Sequence, residues 1–503
     1  VLVLSLFYKL SLFVLNDERK IMQFNTYIYM LLFLPVTILG YFVINKLSYF
    51  FAKIYLAAVS MFFYAYAGLP GFQWLVISII FNYLVVLLMK RMHNKVILWI
   101  GIIFNVVLLF YFKYTNFAIL TINDLLHKSI PLTKMVLPIG ISFFTFQQIA
   151  YIVDSYRGKL EEHSILDYIN YVTFFPKILM GPLVSPNVLL TQFHDESKRK
   201  ISSQNMVDGI QMFIIGLFKK VILADTFAKA VAWAWRIGDF KQISSMDIFL
   251  VMLAYTFQIY FDFSGYSDMA IASAKMLNFE LPMNFDSPYK AYSIRDFWKR
   301  WHISLTKFLT EYIYFPLGGS KKGEARTYLN TMIVFLISGI WHGANWTFIL
   351  WGILHGVFSI FDRLVEKFRK NIHPALQWIA NFLTINVLWL LFRANSIGEW
   401  KHALSQMLRF QSTTISDGLL NVFVLPETKV ITKVFRLYFF EGNIRGFWML
   451  IFYLIGFILC LGFENAYRRK YKQNAVTAIF YALLFVFILT CIGSESVFVY
   501  FNF

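Results

Sequence analysis

Charge is scarce in this chain. Of its 503 residues only 15% are Asp, Glu, Lys or Arg, against about 25% in soluble domains, and that shortage excludes an ordinary soluble enzyme. Cysteine is scarcer still. Cys460 and Cys491 are the only two, both sit in apolar blocks, and neither has a partner at metal-site or disulfide-framework spacing, so redox and zinc chemistry are disfavoured and no metal is expected. Two-residue alternation with turn punctuation is missing as well, which excludes a membrane barrel. No internal repeat and no linker rich in Pro, Gly or Ser divides the chain. What is abundant is apolar: 58% of residues are hydrophobic and 19% aromatic, with 56 Phe, 29 Tyr and 13 Trp. They come in uninterrupted blocks rather than amphipathic stripes. A chain of this kind must satisfy its backbone within the bilayer, so the fold class is all-α, a polytopic transmembrane helical bundle.

Blocks long enough to cross, roughly 17 to 25 residues each, run near 27–44, 48–68, 72–89, 96–120, 135–153, 168–185, 206–235, 247–277, 327–361, 376–393, 447–463 and 475–493. They predict about 11–13 spans. The net charge of +18, from 46 basic and 28 acidic residues, falls on the loops, where it serves as a topology signal or an anion-binding surface; nucleic acid is the weaker reading. Basic clusters at Lys90-Arg91 with Lys95, at Lys299-Arg300, at Lys321-Lys322 with Arg326, at Arg363 to Lys370 and at Arg468 to Lys472 mark the cytoplasmic side. The acidic-leaning loop 154–167 is then expected outside. Because both flanks of 327–361 are cytoplasmic, that block must enter and return as two short or re-entrant helices. The last span carries Phe503 to the extracytoplasmic face. Residues 1–21 form an N-terminal extension: 1–15 are apolar but short, and Met22 reads as the true start, with an uncleaved extra segment as the alternative.

Few polar groups lie inside the apolar blocks, and those few need a reason. His342, in Gly339-Ile340-Trp341-His342-Gly343-Ala344-Asn345-Trp346, stands about 15 residues, or roughly 22 Å of helix rise, from its basic flank. A titratable group at that depth is a functional candidate, the bland alternative being a histidine that bridges two helices. Gly339 and Gly343 permit close approach of a backbone or ligand, and His355 reads as structural. The stretch Arg295-Asp296-Phe297-Trp298-Lys299-Arg300-Trp301-His302 suits the membrane interface, although an interfacial anchor would not account for His302. Tyr314 to Gly323 supplies a glycine turn with two lysines, suited either to gripping phosphate or to a plain cytoplasmic turn. Within 247–277, Asp262 and Tyr266 share one helical face and Ser264 and Asp268 another; an interhelical network is the better account of both aspartates. The C-terminal Ser496 to Phe503 is too short to span. It either docks in the interface or inserts into a cavity and offers a tyrosine hydroxyl.

Together these stretches resemble the membrane-bound O-acyltransferase (MBOAT) family, in the bacterial branch of alginate and peptidoglycan O-acetyltransferase membrane subunits. The likeness rests on Asp262 to Ala270, on Asn284 to Tyr289 running into Phe297 to Leu305, on Tyr314 to Gly319, on Gly339 to Trp346 with Leu354-His355-Gly356, and on Phe174-Phe175-Pro176 followed by Gly181-Pro182. It implies N-terminal transmembrane helices over 22–134, a catalytic core over 135–395 around a central tunnel, and C-terminal helices over 396–503 that end in an extracytoplasmic relay motif. By this resemblance His342 is catalytic and His302 supports it along the tunnel, with Asp262, Asp268, Tyr266, Trp341, Asn345 and His355 as structural or tunnel positions. A related D-alanyl transfer system uses a separate peptide ending in Phe-X-Tyr-Phe. Here Phe498-Val499-Tyr500-Phe501 is similar and fused to the chain, which makes Tyr500 the implied acyl relay.

The implied activity is that of an acetyltransferase in the bacterial cytoplasmic (inner) membrane. Its co-substrate would be acetyl-CoA, with no bound cofactor, and its partner an extracytoplasmic SGNH or esterase-like enzyme that O-acetylates an envelope polysaccharide, peptidoglycan ahead of alginate or another exopolysaccharide. Coenzyme A is too large and anionic to cross hydrocarbon, whereas an acetyl group passes a narrow tunnel. Lys299, Arg300, Lys321, Lys322 and Arg326 would hold the donor's phosphates. D-alanyl transfer to teichoic acid, and a transporter or flippase of a lipid-linked saccharide using Asp262 and Asp268, are the alternatives.

Overall fold

A computed structural model describes residues 22–426, 433 and 444–493. Its two units comprise residues 1–214, 266–283 and 471–481, and residues 215–265, 284–470 and 482–503. Among the described residues every regular element is helical, and eight helices are long and apolar enough to cross a membrane.

The first unit is built on α1 (Tyr29–Leu47), α2 (Tyr49–Tyr66), α3 (Leu69–Met92), α4 (Lys95–Leu126) and α5 (Ile141–Tyr156). His93 closes α3 in the left-handed conformation, and the Asn94 side chain then caps α4 by accepting from Val96 N–H, so Lys90, Arg91 and Lys95 gather at one tight turn. The interior is joined by neutral groups. Ser78 Oγ donates to Gln148 Oε1 at 3.0 Å, Asn82 Nδ2 also donates to Gln148, and Asn82 and Asn105 exchange bonds of 3.2 and 2.6 Å. These bonds tie α3, α4 and α5 at positions where water cannot serve.

Two expectations are revised here. The loop 154–167 lies at the basic end of this unit: Tyr156 stacks on His93 at 5.3 Å, and Lys53 Nζ pairs with Asp167 Oδ1 at 2.8 Å. Its acids serve a salt bridge and the capping box of α6 (Ile165–Thr173), and acidic residues carry little weight in membrane orientation. The apolar block 168–185 is also no single crossing. Pro176 lacks the N–H that a continuing helix would use, so α6 stops at Thr173, one helical turn follows over Phe175–Ile178, and the chain resumes in α7 (Pro186–Gln192).

From α8 (Ser203–Leu217) the chain enters the second unit through a π-helical turn, Phe218–Ala224, into α9 (Asp225–Ile237). Then come α10 (Ser245–Met276), the short α11 (Ile294–Arg300) and α12 (Ile303–Leu309), α13 (Glu324–His342), α14 (Trp346–Leu364), α15 (Pro374–Arg393), α16 (Ile397–Leu408), α17 (Ile444–Leu461) and α18 (Ala475–Cys491). The block 327–361 does enter and return, as α13 and α14. The two helices meet backbone to backbone at Gly339 and Gly352, where a Cβ on Gly339 would lie 2.4 Å from Phe348 O and one on Gly352 2.4 Å from Phe335 O. A Cβ on Gly343 at the hairpin tip would run into the Phe348 ring at 2.1 Å.

Candidate active site

His342 is the last residue of α13 and is 4% exposed. Its ring is enclosed by aromatic faces: Trp341 at 4.9 Å, Trp351 of α14 at 5.2 Å and edge-on, and Phe392 of α15 at 5.4 Å. His302 comes from a different element. It precedes α12 with φ 45°, is fully buried, and meets Phe263 edge-on at 4.7 Å. Asn284 braces that turn by accepting from Ser304 Oγ at 2.7 Å, while its carbonyl accepts from Ile303 N–H at 3.0 Å. The two imidazoles stand 6.5 Å apart, centre to centre, and His302 has no hydrogen-bond partner among the described residues. Two buried imidazoles among aromatic rings suit proton transfer to or from a hydroxyl.

His355 behaves differently. Its Nδ1 accepts from Trp298 Nε1 at 3.1 Å, which pins α11 to α14 and fixes the ring's tautomer. Asn345 likewise caps α14 by accepting from Thr347 N–H at 3.1 Å, and donates to Asn395 O at 3.0 Å.

A cavity of about 360 Å³ opens beside the same hairpin, within the usual size of a small-molecule site. Tyr328, Thr331, Phe335 and Ser338 line it from α13, at the three- and four-residue spacing of one helical face, and His342 is the next position on that face. From Ser338 to His342 is one turn, about 6 Å of rise. Arg295, Lys299 and Arg363 are its cationic lining. Arg295 is engaged with Glu366 at 2.8 Å, and its hydrogen bond and charge hold that carboxyl below the usual range. Lys299 and Arg363 have no acidic partner among the described residues, so they are the cations free to meet an anionic ligand.

Of the five basic residues expected to hold donor phosphates, Lys299 lines this cavity. Arg300 instead closes on Asp296 at 2.9 Å, Arg326 donates to Leu317 O at 3.3 Å, and Lys321 and Lys322 are exposed on the glycine turn. The amides of Gly318, Gly319 and Lys321 are spent inside that turn, on Phe315, Tyr314 and Gly318 carbonyls. The turn reaches the cavity through the hydroxyls of Tyr314 and Ser320, which are hydrogen-bonded to each other at 2.7 Å. Arg295 and Arg363 went unselected in the sequence because each looked like one more interfacial cation.

Lys220 is a third residue that sequence reasoning passed over. It sits in the π-helical turn, buried, with Asp225 Oδ1 at 2.9 Å and Asp262 Oδ1 at 2.8 Å. Asp262 is thus half of an interhelical ion pair, as the network reading expected. Tyr266, one turn on, stacks on Phe24 at 4.7 Å in the first unit, and Asp268 is buried there too. Trp341 lies 6.1 Å from the His302 ring. Tyr500 falls outside the described residues.

Comparison with known proteins bears on this geometry. Residues 97–398 match the model of the MBOAT, membrane-bound O-acyltransferase family, a span containing both histidines and the cavity. The chain is 38% identical over 430 residues to a peptidoglycan O-acetyltransferase of Helicobacter pylori, covering 78% of this chain and 81% of that one. It is 34% identical over 423 residues to a probable alginate O-acetylase AlgI of Azotobacter vinelandii, covering 82% of each. A teichoic acid D-alanyltransferase of Streptococcus thermophilus is more distant, at 24% over 277 residues, covering 50% of this chain and 67% of that one. With a family match over more than half its length and such relatives across most of it, the chain belongs to the membrane-bound O-acyltransferase family and is a multi-pass membrane acyltransferase.

Proposed function

We propose that this enzyme draws an acetyl group from cytoplasmic acetyl-CoA and passes it through the inner membrane to an extracytoplasmic, esterase-like partner that O-acetylates an envelope polysaccharide. The observation that carries the proposal is the cavity whose α13 face leads, one turn on, to His342. The cavity's free cations, Lys299 and Arg363, suit the donor's phosphates, and its α13 wall of Tyr328, Thr331, Phe335 and Ser338 suits the uncharged thioester arm. Peptidoglycan is the first choice of acceptor, in line with the Helicobacter pylori relative, and alginate or another exopolysaccharide the second.

In this reading the neutral His342 imidazole removes the proton of the Tyr500 hydroxyl. A free phenol, with a pKa near 10, is otherwise a poor nucleophile at pH 7. The phenol oxygen bonds to the acetyl carbonyl carbon, the carbon–sulfur bond breaks, and the coenzyme A thiolate takes up the proton. The tyrosyl ester then yields its acetyl group to the partner. His302 supports the path as the second imidazole. The test is to give labelled acetyl-CoA to purified protein in vesicles: label should reach the protein or an external acceptor in wild type and be lost in His342→Ala and Tyr500→Phe. Transfer that survives both substitutions overturns the relay. Lys299→Gln and Arg363→Gln should raise KM for acetyl-CoA with little change in kcat.

A further inference from the structure

We propose that His163, Asp167 and His194 in the first unit form a binding site for a divalent transition metal of the zinc class. The three residues come from separate turns. His163 lies in the loop before α6, Asp167 in its first turn and His194 two residues beyond α7. Their ligand atoms all fall within 4.8 Å of one another. His194 Nε2 and Asp167 Oδ2 are already 3.5 Å apart, close to the edge of a tetrahedron built on metal–ligand bonds of about 2.0–2.1 Å. His163 stacks against His194 at 5.5 Å.

A second observation points to a ligand. Both ring nitrogens of His163 are shut off from solvent and have no hydrogen-bond partner among the described residues. His163 is half-buried, yet ring nitrogens shut off from solvent without a partner are costly unless something arrives to bond them, and one of them lies within 4.8 Å of the ligand atoms of a second imidazole and a carboxylate. Two nitrogens and one oxygen, with a fourth position left to water, are a donor set for zinc rather than for calcium or magnesium. Asp167 is held from its far side: Lys53 Nζ is bound to Oδ1 at 2.8 Å, which leaves Oδ2 to the metal as outer-shell partners of metal carboxylates commonly do. Oδ2 now accepts from the Ser164 hydroxyl at 2.6 Å and the Ser164 N–H at 3.2 Å in the α6 capping box, and the metal would take the place of the hydroxyl's hydrogen bond. Lys53 is also the price of the site, since its ammonium opposes a nearby dication. The bound ion would tie the start of α6 to the segment after α7, at the basic end of the unit.

Cysteine spacing gave no sign of this site, because its ligands are two histidines 31 positions apart and an aspartate. The experiment is a zinc titration of the chelator-stripped, detergent-purified full chain against a chromophoric chelator, with a melting curve at each point. One zinc per chain is expected, with a rise in Tm. His163→Gln/His194→Gln should weaken binding at least about tenfold and abolish the rise, while Lys53→Gln should tighten it. The proposal is overturned if wild type binds no zinc, or if the double variant, eluting as wild type on gel filtration, binds it equally well. Because the readout is binding and melting, it stands or falls independently of the acyl-transfer reading.

Discussion

Among the described residues the first unit buries Lys177 and the second Lys219 and Lys220, and Lys177 and Lys220 are treated differently. Lys220 of the second unit lies between two carboxylates, Asp225 and Asp262. Lys177 of the first has no acid beside it among the described residues: its Nζ donates to Gln147 Oε1 and rests 4.4 Å from the centre of the Tyr171 ring. The helices α3, α4 and α5 of the first unit are joined by neutral amides and a hydroxyl, in the Ser78, Asn82, Asn105 and Gln148 network. The second unit holds its Lys220 triad on the π-helical turn, α9 and α10, and its two deep histidines at the start of α12 and the end of α13. A buried ion network is costly to assemble and costly to break. A neutral amide network is cheap on both counts. The contrast separates polar groups whose loss unfolds the protein from those whose loss leaves it standing.

Breaking the triad should have the largest effect. Lys220→Met leaves the buried Asp262 carboxylate and the half-buried Asp225 carboxylate without their shared cation and should cost about 3–5 kcal/mol, seen as loss of folded protein in detergent or a large fall in Tm. Adding Asp225→Asn and Asp262→Asn to the same chain should recover most of that loss. If the triple variant is no better than the single one, the cost lies in packing at the π-helical turn rather than in charge. Next in size is Gly352→Ala. Its Cβ would come within 2.4 Å of Phe335 O and 3.1 Å of Gly339 Cα, both backbone atoms that cannot step aside, so α13 and α14 must part. A loss of about 1–3 kcal/mol is expected, with a fall in kcat larger than the stability loss explains because His342 rides on the displaced helix.

The main lines of the bundle were legible in the sequence because a bilayer demands long apolar helices, and the entering and returning pair α13 and α14 followed from basic charge on both flanks. Two features were not. The block 168–185 has the composition of a span, and only the backbone consequence of Pro176 reveals that it stops and turns. The loop 154–167 has the charge of an outer loop, yet Asp167 is engaged by Lys53 and the α6 cap, and a paired acid is no guide to sidedness. At the site, His342 and His302 stood out because an imidazole in an apolar or aromatic run has few innocent explanations. Arg295 and Arg363 did not, since their membership in one cavity depends on α11 and α14 folding side by side. Lys220 was hidden in the same way, its partners lying 5 and 42 positions further along the chain.

Within the neutral network the effects should be smaller. Asn82→Leu removes the donor that joins Gln148 to Asn105 and leaves amide groups of both without that partner. Hydrogen bonds between membrane helices are modest, so about 1 kcal/mol is expected, read as a small fall in Tm with acyl transfer retained.

Lys177→Met should have the smallest effect and draws the comparison most sharply. The substitution swaps a buried ammonium for an apolar chain of similar length, strands no opposite charge, and leaves Gln147 Oε1 as the one group that loses its donor. Gln147 Nε2 already lacks a partner, so that amide can turn without breaking a second bond. The lost contact with the Tyr171 ring and the relief of burying a charge act in opposite directions, and the net should lie within about 1 kcal/mol of wild type. A change as large as that of Lys220→Met would show that the two lysines are held by equivalent forces and that the division between a neutral setting and an ionic one is false. A near-silent effect on stability with a loss of acyl transfer would put Lys177 among the functional groups, kept at the cost of burial for a task that packing does not require.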